Sequence, residues 1–189
     1  MARLKIAVSG TPGTGKSVFA RALARKLDAQ LVDLNAIIKR KKLFKLDVDG
    51  VRIADLRGMR VEFGKVMKNS NSSMVAEGLL SHLLPTKLLT HVIVLRTRPK
   101  VLEKRLRARK YSNAKLRDNL EAEALSIILW EAVQEHGAAK VYEIDTTGIK
   151  VNTAVEMFLK ALNGKTSLRP GKIDWLEEFY EEKIIKGDA

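Results

Sequence analysis

The chain has 189 residues, 46 % hydrophobic and 30 % charged, a balance that suits one water-soluble, well-cored domain and leaves no room for two large ones. It lacks cysteine, which excludes disulfides, thiolate catalysis and zinc–cysteine sites together. A formal net charge of +13 points to anionic partners, with nucleotide phosphates, nucleic acid and a merely solvated basic surface as the readings to separate.

From the amino end, residues 4–8 are an aliphatic run closed by Ser9 and Gly10, the pattern of a buried strand. Apolar spacing through Val18, Phe19, Leu23 and Leu27 predicts a helix over 16–27. A short strand at 30–33 follows, then a basic helix over 34–42 and a charged segment to about Gly58. The pattern next predicts a helix over 59–68, a loop at 69–72 and a third strand at 73–76, ending at Glu77 and Gly78. Residues 91–95 read as the fourth strand and 100–109 as a helix. After a break at 111–113, one long helix is expected over 116–135. A fifth strand at 141–144 and a helix over 152–162 complete five β–α alternations. That order predicts an α/β fold, a five-stranded parallel sheet with helices on both faces. Residues 163–171 read as a linker. Trp175, Leu176, Phe179 and Ile184 form the apolar stripe of a last helix within 172–189. No apolar run reaches the roughly 18 residues of a membrane span. Met1 leads almost directly into the glycine-rich loop with no cleavable leader pattern, so cytoplasm is the expected compartment.

Gly10-Thr11-Pro12-Gly13-Thr14-Gly15-Lys16-Ser17 sits between a predicted buried strand and a helix, which is the context a phosphate-binding loop requires. Its glycines let backbone amides curl towards a β-phosphate, and the helix adds its positive amino end. Gly13, Thr14, Gly15, Lys16, Ser17 and Val18 are the expected nucleotide contacts. Lys16 supplies the cation for the β- and γ-phosphates, and Ser17 presents a hydroxyl to Mg²⁺. No Asn-Lys-x-Asp occurs, so guanine-specific GTPase chemistry is not expected. Asp47-Val48-Asp49-Gly50 imitates a switch motif but precedes no strand.

Residues 96–117 hold ten cations against the single acid Glu103, nine of the thirteen net positive charges. Phosphoryl transfer rests on electrostatic stabilisation, so a dense cationic group has a use there. Arg105 and Arg109 stand four apart, on one helical face, and can converge on one anion. Contact with RNA or protein, or a solvated face, are the other readings. Glu103 and Arg107 fit an ordinary surface pair. Glu77, ending the third strand, is placed to hold magnesium or orient an attacking group, or else to form a structural salt bridge. His82 and His91 read as structural.

These stretches resemble the adenylate-kinase-like ATPases of small-subunit ribosome maturation, the family of the coilin-interacting nuclear ATPase and its archaeal counterparts. The resemblance is carried by the glycine loop, by Val75-Ala76-Glu77-Gly78 leading to Pro85, and by Val94-Leu95-Arg96-Thr97. It is carried most specifically by Leu102 to Leu106 and by Arg109-Lys110-Tyr111-Ser112-Asn113-Ala114-Lys115-Leu116-Arg117-Asp118-Asn119 through Glu123. It implies a P-loop fold of nucleoside monophosphate kinase type, with a monophosphate-binding insert at about 34–57 and a lid at about 108–118. It further implies ATP-dependent phosphate transfer to a nucleoside monophosphate, ATP hydrolysis, and transient binding of ribosomal protein uS11 in late 30S maturation and rRNA processing, with pre-ribosomal RNA a further partner. By position, Lys39 matches the acceptor-phosphate cation and Arg109 the lid arginine near ATP. Two departures stand out: Leu79 replaces a histidine common after the third strand, and Lys110 replaces a glycine. The helix after Gly171 has no catalytic match and is a candidate docking surface. Two readings remain: a kinase with ATPase activity, or an ATP-switched assembly factor whose turnover is incidental.

Overall fold

The computed structural model describes residues 3–46, 48, 52–68 and 70–186. From the amino end it runs β1 (Lys5–Ser9), α1 (Lys16–Lys26), β2 (Gln30–Asp33), α2 (Leu34–Arg40), β3 (Phe44–Leu46), β4 (Arg52–Ala54) and α3 (Leu56–Lys68). It continues β5 (Met74–Glu77), β6 (His91–Arg96), α4 (Pro99–Ala108), α5 (Asn113–Ala124), α6 (Ile127–His136), β7 (Val141–Asp145), α7 (Val151–Leu162) and α8 (Leu176–Lys186). Five strands form one sheet in the order β2-β5-β1-β6-β7, every neighbouring pair parallel. The predicted α/β architecture is therefore present.

Period-two alternation divides the sheet's side chains between two cores. Ala7, Met74, Ala76, Val92 and Val94 face Ile37, Met59, Phe63 and Ala132 of α2, α3 and α6. Ile6, Val8, Val75, Ile93 and Leu95 face Phe19 and Leu23 of α1 and Phe158 of α7. Both faces of each central strand are covered, which is why the strands read as unbroken aliphatic runs. Chain order reverses around β1, so the crevice beyond its carboxyl end, between β5 and β6, is where such sheets take ligands.

Two differences from the predicted elements have physical causes. Within the charged segment, β3 and β4 pair antiparallel, with Phe44 opposite Ala54; strands of three residues are too short to reveal their period. Asp47, Asp49 and Gly50, the switch-like tetrapeptide apart from Val48, lie outside the described residues. The single helix expected over 116–135 is two helices, broken where Ser126 adopts φ 57°. The break lets α5 bury Leu116 and Leu120 against α4, while α6 turns Ile128, Leu129 and Ala132 onto the sheet. One straight helix cannot serve both.

The last helix starts later than expected, at Leu176, and its anchors point inward. Trp175 and Phe179 are buried, and Phe179 joins Leu102, Leu106, Leu116 and Leu120 in a third apolar cluster. Leu176 and Tyr180 remain exposed, so that side is open to a partner; the Ile184 side chain is outside the described set. We expect Phe179→Ala to cost about 3 kcal/mol of unfolding free energy, measured by chemical denaturation. A loss under about 1 kcal/mol, the scale of a surface substitution, would show that this segment is not part of the core.

Candidate functional site

The loop from Gly10 to Gly15 leaves β1 in a conformation that side chains would obstruct. Gly10 has φ 139°, and a Cβ there would lie 2.4 Å from the Leu95 carbonyl oxygen of β6. At Gly13, φ 95°, it would lie 2.7 Å from Leu102 Cδ1. The loop is closed on itself by the Thr14 amide and hydroxyl, which donate to the Thr11 carbonyl at 3.2 and 2.9 Å. Its far side is pinned by Thr146 Oγ1, donating to the Thr14 carbonyl at 3.0 Å, and by Arg105 Nη1, donating to the Gly13 carbonyl at 3.0 Å. The helix that follows has no acidic residue in its first turn and no side-chain cap. Its positive end is left for an external anion.

Lys16 opens that helix and rests its ammonium on the Thr11 carbonyl at 3.1 Å. Burial pushes its pKa down to about 8, partly offset by the Glu77 and Glu123 carboxylates and reinforced by the Arg109 charge. Glu77, at the end of β5, is buried, which raises its pKa against the opposing hydrogen bond from Ser17. Asp33 stands directly across the sheet from Glu77 and raises it further. Ser17 and Glu77, with Asp33 beside them, are hard oxygen donors of the kind magnesium takes. Among the described residues no group of three or more His, Cys, Asp or Glu could hold a metal.

Beside the loop is a cavity of about 240 Å³, lined by Gly15, Val18, Arg105, Arg109, Thr146 and Ile149 among others. Arg105, on α4, and Arg109, the residue just after that helix, both line this cavity. Gly13, Thr14, Gly15, Lys16, Ser17 and Val18 are gathered with them around the loop and cavity. Lys39 is exposed on α2, beside β2 rather than at the loop.

Not all the clustered cations belong to this field. Arg96 is 2 % exposed and is paired with Glu123 and Glu143 at 2.9 and 2.8 Å. Reading it with the phosphate-facing cations is corrected: a guanidinium so enclosed is committed to partners inside the protein. Arg107 pairs with Glu103 across one helical turn and Arg98 with Glu178. His82 is buried between Ser9 Oγ and Glu131, both at 2.8 Å, and His91 stacks near Tyr142 and Phe158; both hold structure together. Thr11, Glu123 and Thr146 shape the loop, and sequence reading did not single them out as site residues. Glu123 was in view only as the last residue of a motif.

A family model described as an AAA domain matches residues 6–126. A protein of Thermococcus kodakarensis bearing the name "Putative adenylate kinase" is 39 % identical over 179 residues, covering 95 % of this chain and 96 % of that one. A Pyrococcus furiosus protein of the same name is 40 % identical over 180 residues, covering 95 % and 94 %. Among solved structures, shikimate kinase from Bacteroides thetaiotaomicron superposes with a TM-score of 0.60 at 20 % identity, over 86 % of this chain and 99 % of that one. A gluconokinase from Sinorhizobium meliloti gives 0.58 at 18 %, over 86 % and 94 %. These two likenesses establish the fold.

Because Lys16 loses its proton near pH 8 when no anion is present, nucleotide affinity should fall as pH rises from 7 to 9. Lys16→Ala should bind MgATP more weakly at every pH and lose that dependence. Titration calorimetry across this range checks both; a pH-independent affinity in the unmodified chain would contradict the role given to the ammonium.

Proposed function

Since the chain belongs to the AAA-domain family of P-loop proteins, together with archaeal relatives that bear the adenylate kinase name, we propose that it is an ATP-dependent nucleoside monophosphate kinase of broad acceptor specificity, with accompanying ATPase activity. The observation that carries this reading is convergence: the loop, Arg105 of α4 and Arg109 at its end line one cavity, and the Lys16 ammonium, which feels both the Arg109 charge and the Glu77 carboxylate, joins that cavity to the Ser17–Glu77 pair. Little covalent chemistry is asked of a protein in phosphoryl transfer; it must position two anions and spread the charge that develops between them.

In this reading the loop amides and Lys16 hold the β- and γ-phosphates, and Val18 and Arg109 border the donor nucleotide. Arg105 and Arg109 face the transferred group, where a fixed guanidinium lowers the barrier more than it strengthens ground-state binding. Magnesium, held through Ser17 and Glu77, would supply further neutralisation of the phosphate oxygens. The acceptor enters on the other side, towards α2, where Lys39 is the proposed phosphate cation. The segment 34–57, with its β3–β4 hairpin, is the proposed acceptor insert, and 108–118 the proposed lid. Closing such covers excludes water, which would otherwise compete for the phosphate.

A second reading is supported by charge outside the cavity and by the resemblance through residues 102–123. In it the protein acts in the cytoplasm in late 30S maturation and rRNA processing, binding ribosomal protein uS11 with pre-ribosomal RNA nearby, and ATP occupancy switches those contacts. The kinase reading expects purified protein given ADP and magnesium to produce ATP and AMP, followed by chromatography of the nucleotides. Absence of interconversion, with slow hydrolysis accelerated by uS11, would favour the assembly-factor reading. Arg109→Ala should lower the transfer rate by roughly tenfold to a thousandfold, as removal of a charge-stabilising donor does, while changing MgATP affinity far less. Equal losses in both would remove Arg109 from the transition state.

A further inference from the structure

Thr11 faces two ways. Its carbonyl receives the Lys16 ammonium and the Thr14 hydroxyl, while its own hydroxyl donates to Glu123 Oε2 at 2.5 Å. Glu123, on α5, is 2 % exposed. Its second oxygen accepts from Arg96 Nε and from the Thr97 amide, each at 2.9 Å. Arg96 also donates to the Glu123 carbonyl and to Glu143 Oε1, both at 2.8 Å. The remaining Glu143 oxygen accepts the backbone amides of Gly171 and Lys172 at 2.9 and 3.0 Å. Trp175 covers the assembly from outside, its ring 5.1 Å from the Arg96 guanidinium carbon.

This is one continuous set of buried, charge-assisted hydrogen bonds running from the loop to the segment before α8. Each carboxylate spends one oxygen on Arg96 and the other elsewhere, and the two destinations differ. Glu143 gives its other oxygen to the chain after the linker, which is a structural use. Glu123 gives its other oxygen to the glycine-rich loop, on the residue whose carbonyl holds the Lys16 ammonium. A carboxylate needed only to neutralise Arg96 has no reason to be shared with Thr11.

We propose that Glu123 is a positioning residue of the nucleotide site: through the Thr11 hydroxyl it fixes the carbonyl on which Lys16 rests, with Arg96, Glu143 and the amides of Gly171 and Lys172 as its outer support. The proposal rests on the nucleotide-binding reading of the loop and extends the site to residues that line no part of its cavity. Glu143, Gly171, Lys172 and Trp175 also lie beyond the region matched by the family model.

The test uses the full chain, with ATP turnover in the presence of magnesium, binding of a non-hydrolysable MgATP analogue, and thermal unfolding measured side by side. Thr11→Val keeps the β-branched shape and removes the donor. It should lower kcat about tenfold to a hundredfold, the scale of a small misplacement of reacting groups, with a much smaller change in KM. Thr11→Ser, which restores the hydroxyl, should return most of the rate. Glu123→Gln should lose a similar factor, and the double variant should be no slower than either single one, because both remove the same link. Glu143→Gln should shift the rate the same way by less. Should Glu123→Gln fail to fold, the Thr11→Val and Thr11→Ser pair still decides, since both leave Arg96 paired with two carboxylates. Unchanged turnover in folded Thr11→Val, or single losses that multiply in the double variant, would overturn the proposal while leaving the nucleotide site intact. Failure of the unmodified chain to bind the MgATP analogue would instead remove the reading beneath it.

Discussion

The arrangement depends on one guanidinium held out of water. Taking Arg96 from solvent into the interior costs several kcal/mol, and removing one partner of such a pair typically costs about 3–5 kcal/mol. Two carboxylates and a carbonyl are therefore drawn to it, from two separate stretches of chain. Glu123 brings α5 to the end of β6, and Glu143 brings β7. The requirement that both carboxylates have every oxygen occupied then recruits Thr11, Thr97, Gly171 and Lys172. Among the described residues no buried side-chain nitrogen or oxygen lacks a hydrogen-bond partner. Directional bonds of this kind select one packing of helices on the sheet, where apolar contact alone tolerates several.

Above that foundation, the carboxyl ends of β1, β5, β6 and β7 deliver the loop, Glu77, Thr97 and Thr146 to one edge. Opposite charges are graded across it. Ser17, Glu77 and Asp33 lie on the β5–β2 side, the two arginines on the α4 side, and Lys16 between them. The lysine's burial lowers its pKa to about 8, so the group that an arriving polyphosphate meets is charged at neutral pH and loses that charge as the pH rises past 8.

What could be read from residues alone follows from how strictly each feature constrains side chains. Central parallel strands exclude polar residues on both faces, so 4–8 and 91–95 announced themselves. A loop in which a Cβ at Gly10 would lie 2.4 Å from a carbonyl oxygen admits glycine there, so its motif was legible with its chemistry. The hairpin at 44–54 was hidden because three residues carry no period. The break at Ser126 was hidden because apolar spacing continues through it and only the partner surface changes. Charge was the least legible property. Ten cations in 22 residues looked like one field, yet Arg96 turns inward, Arg98 and Arg107 are neutralised by glutamates, and Arg105 and Arg109 reach the cavity. A count of charges carries no direction, and direction comes from packing.

The order in which the relay's members are translated has its own effect. Thr11, Arg96, Glu123 and Glu143 all precede Gly171 and Lys172, so a nascent chain exposes a half-satisfied carboxylate at Glu143 until those two amides and the Trp175 ring emerge. The outer support of the buried network thus comes from its latest members in sequence order, the amides of Gly171 and Lys172.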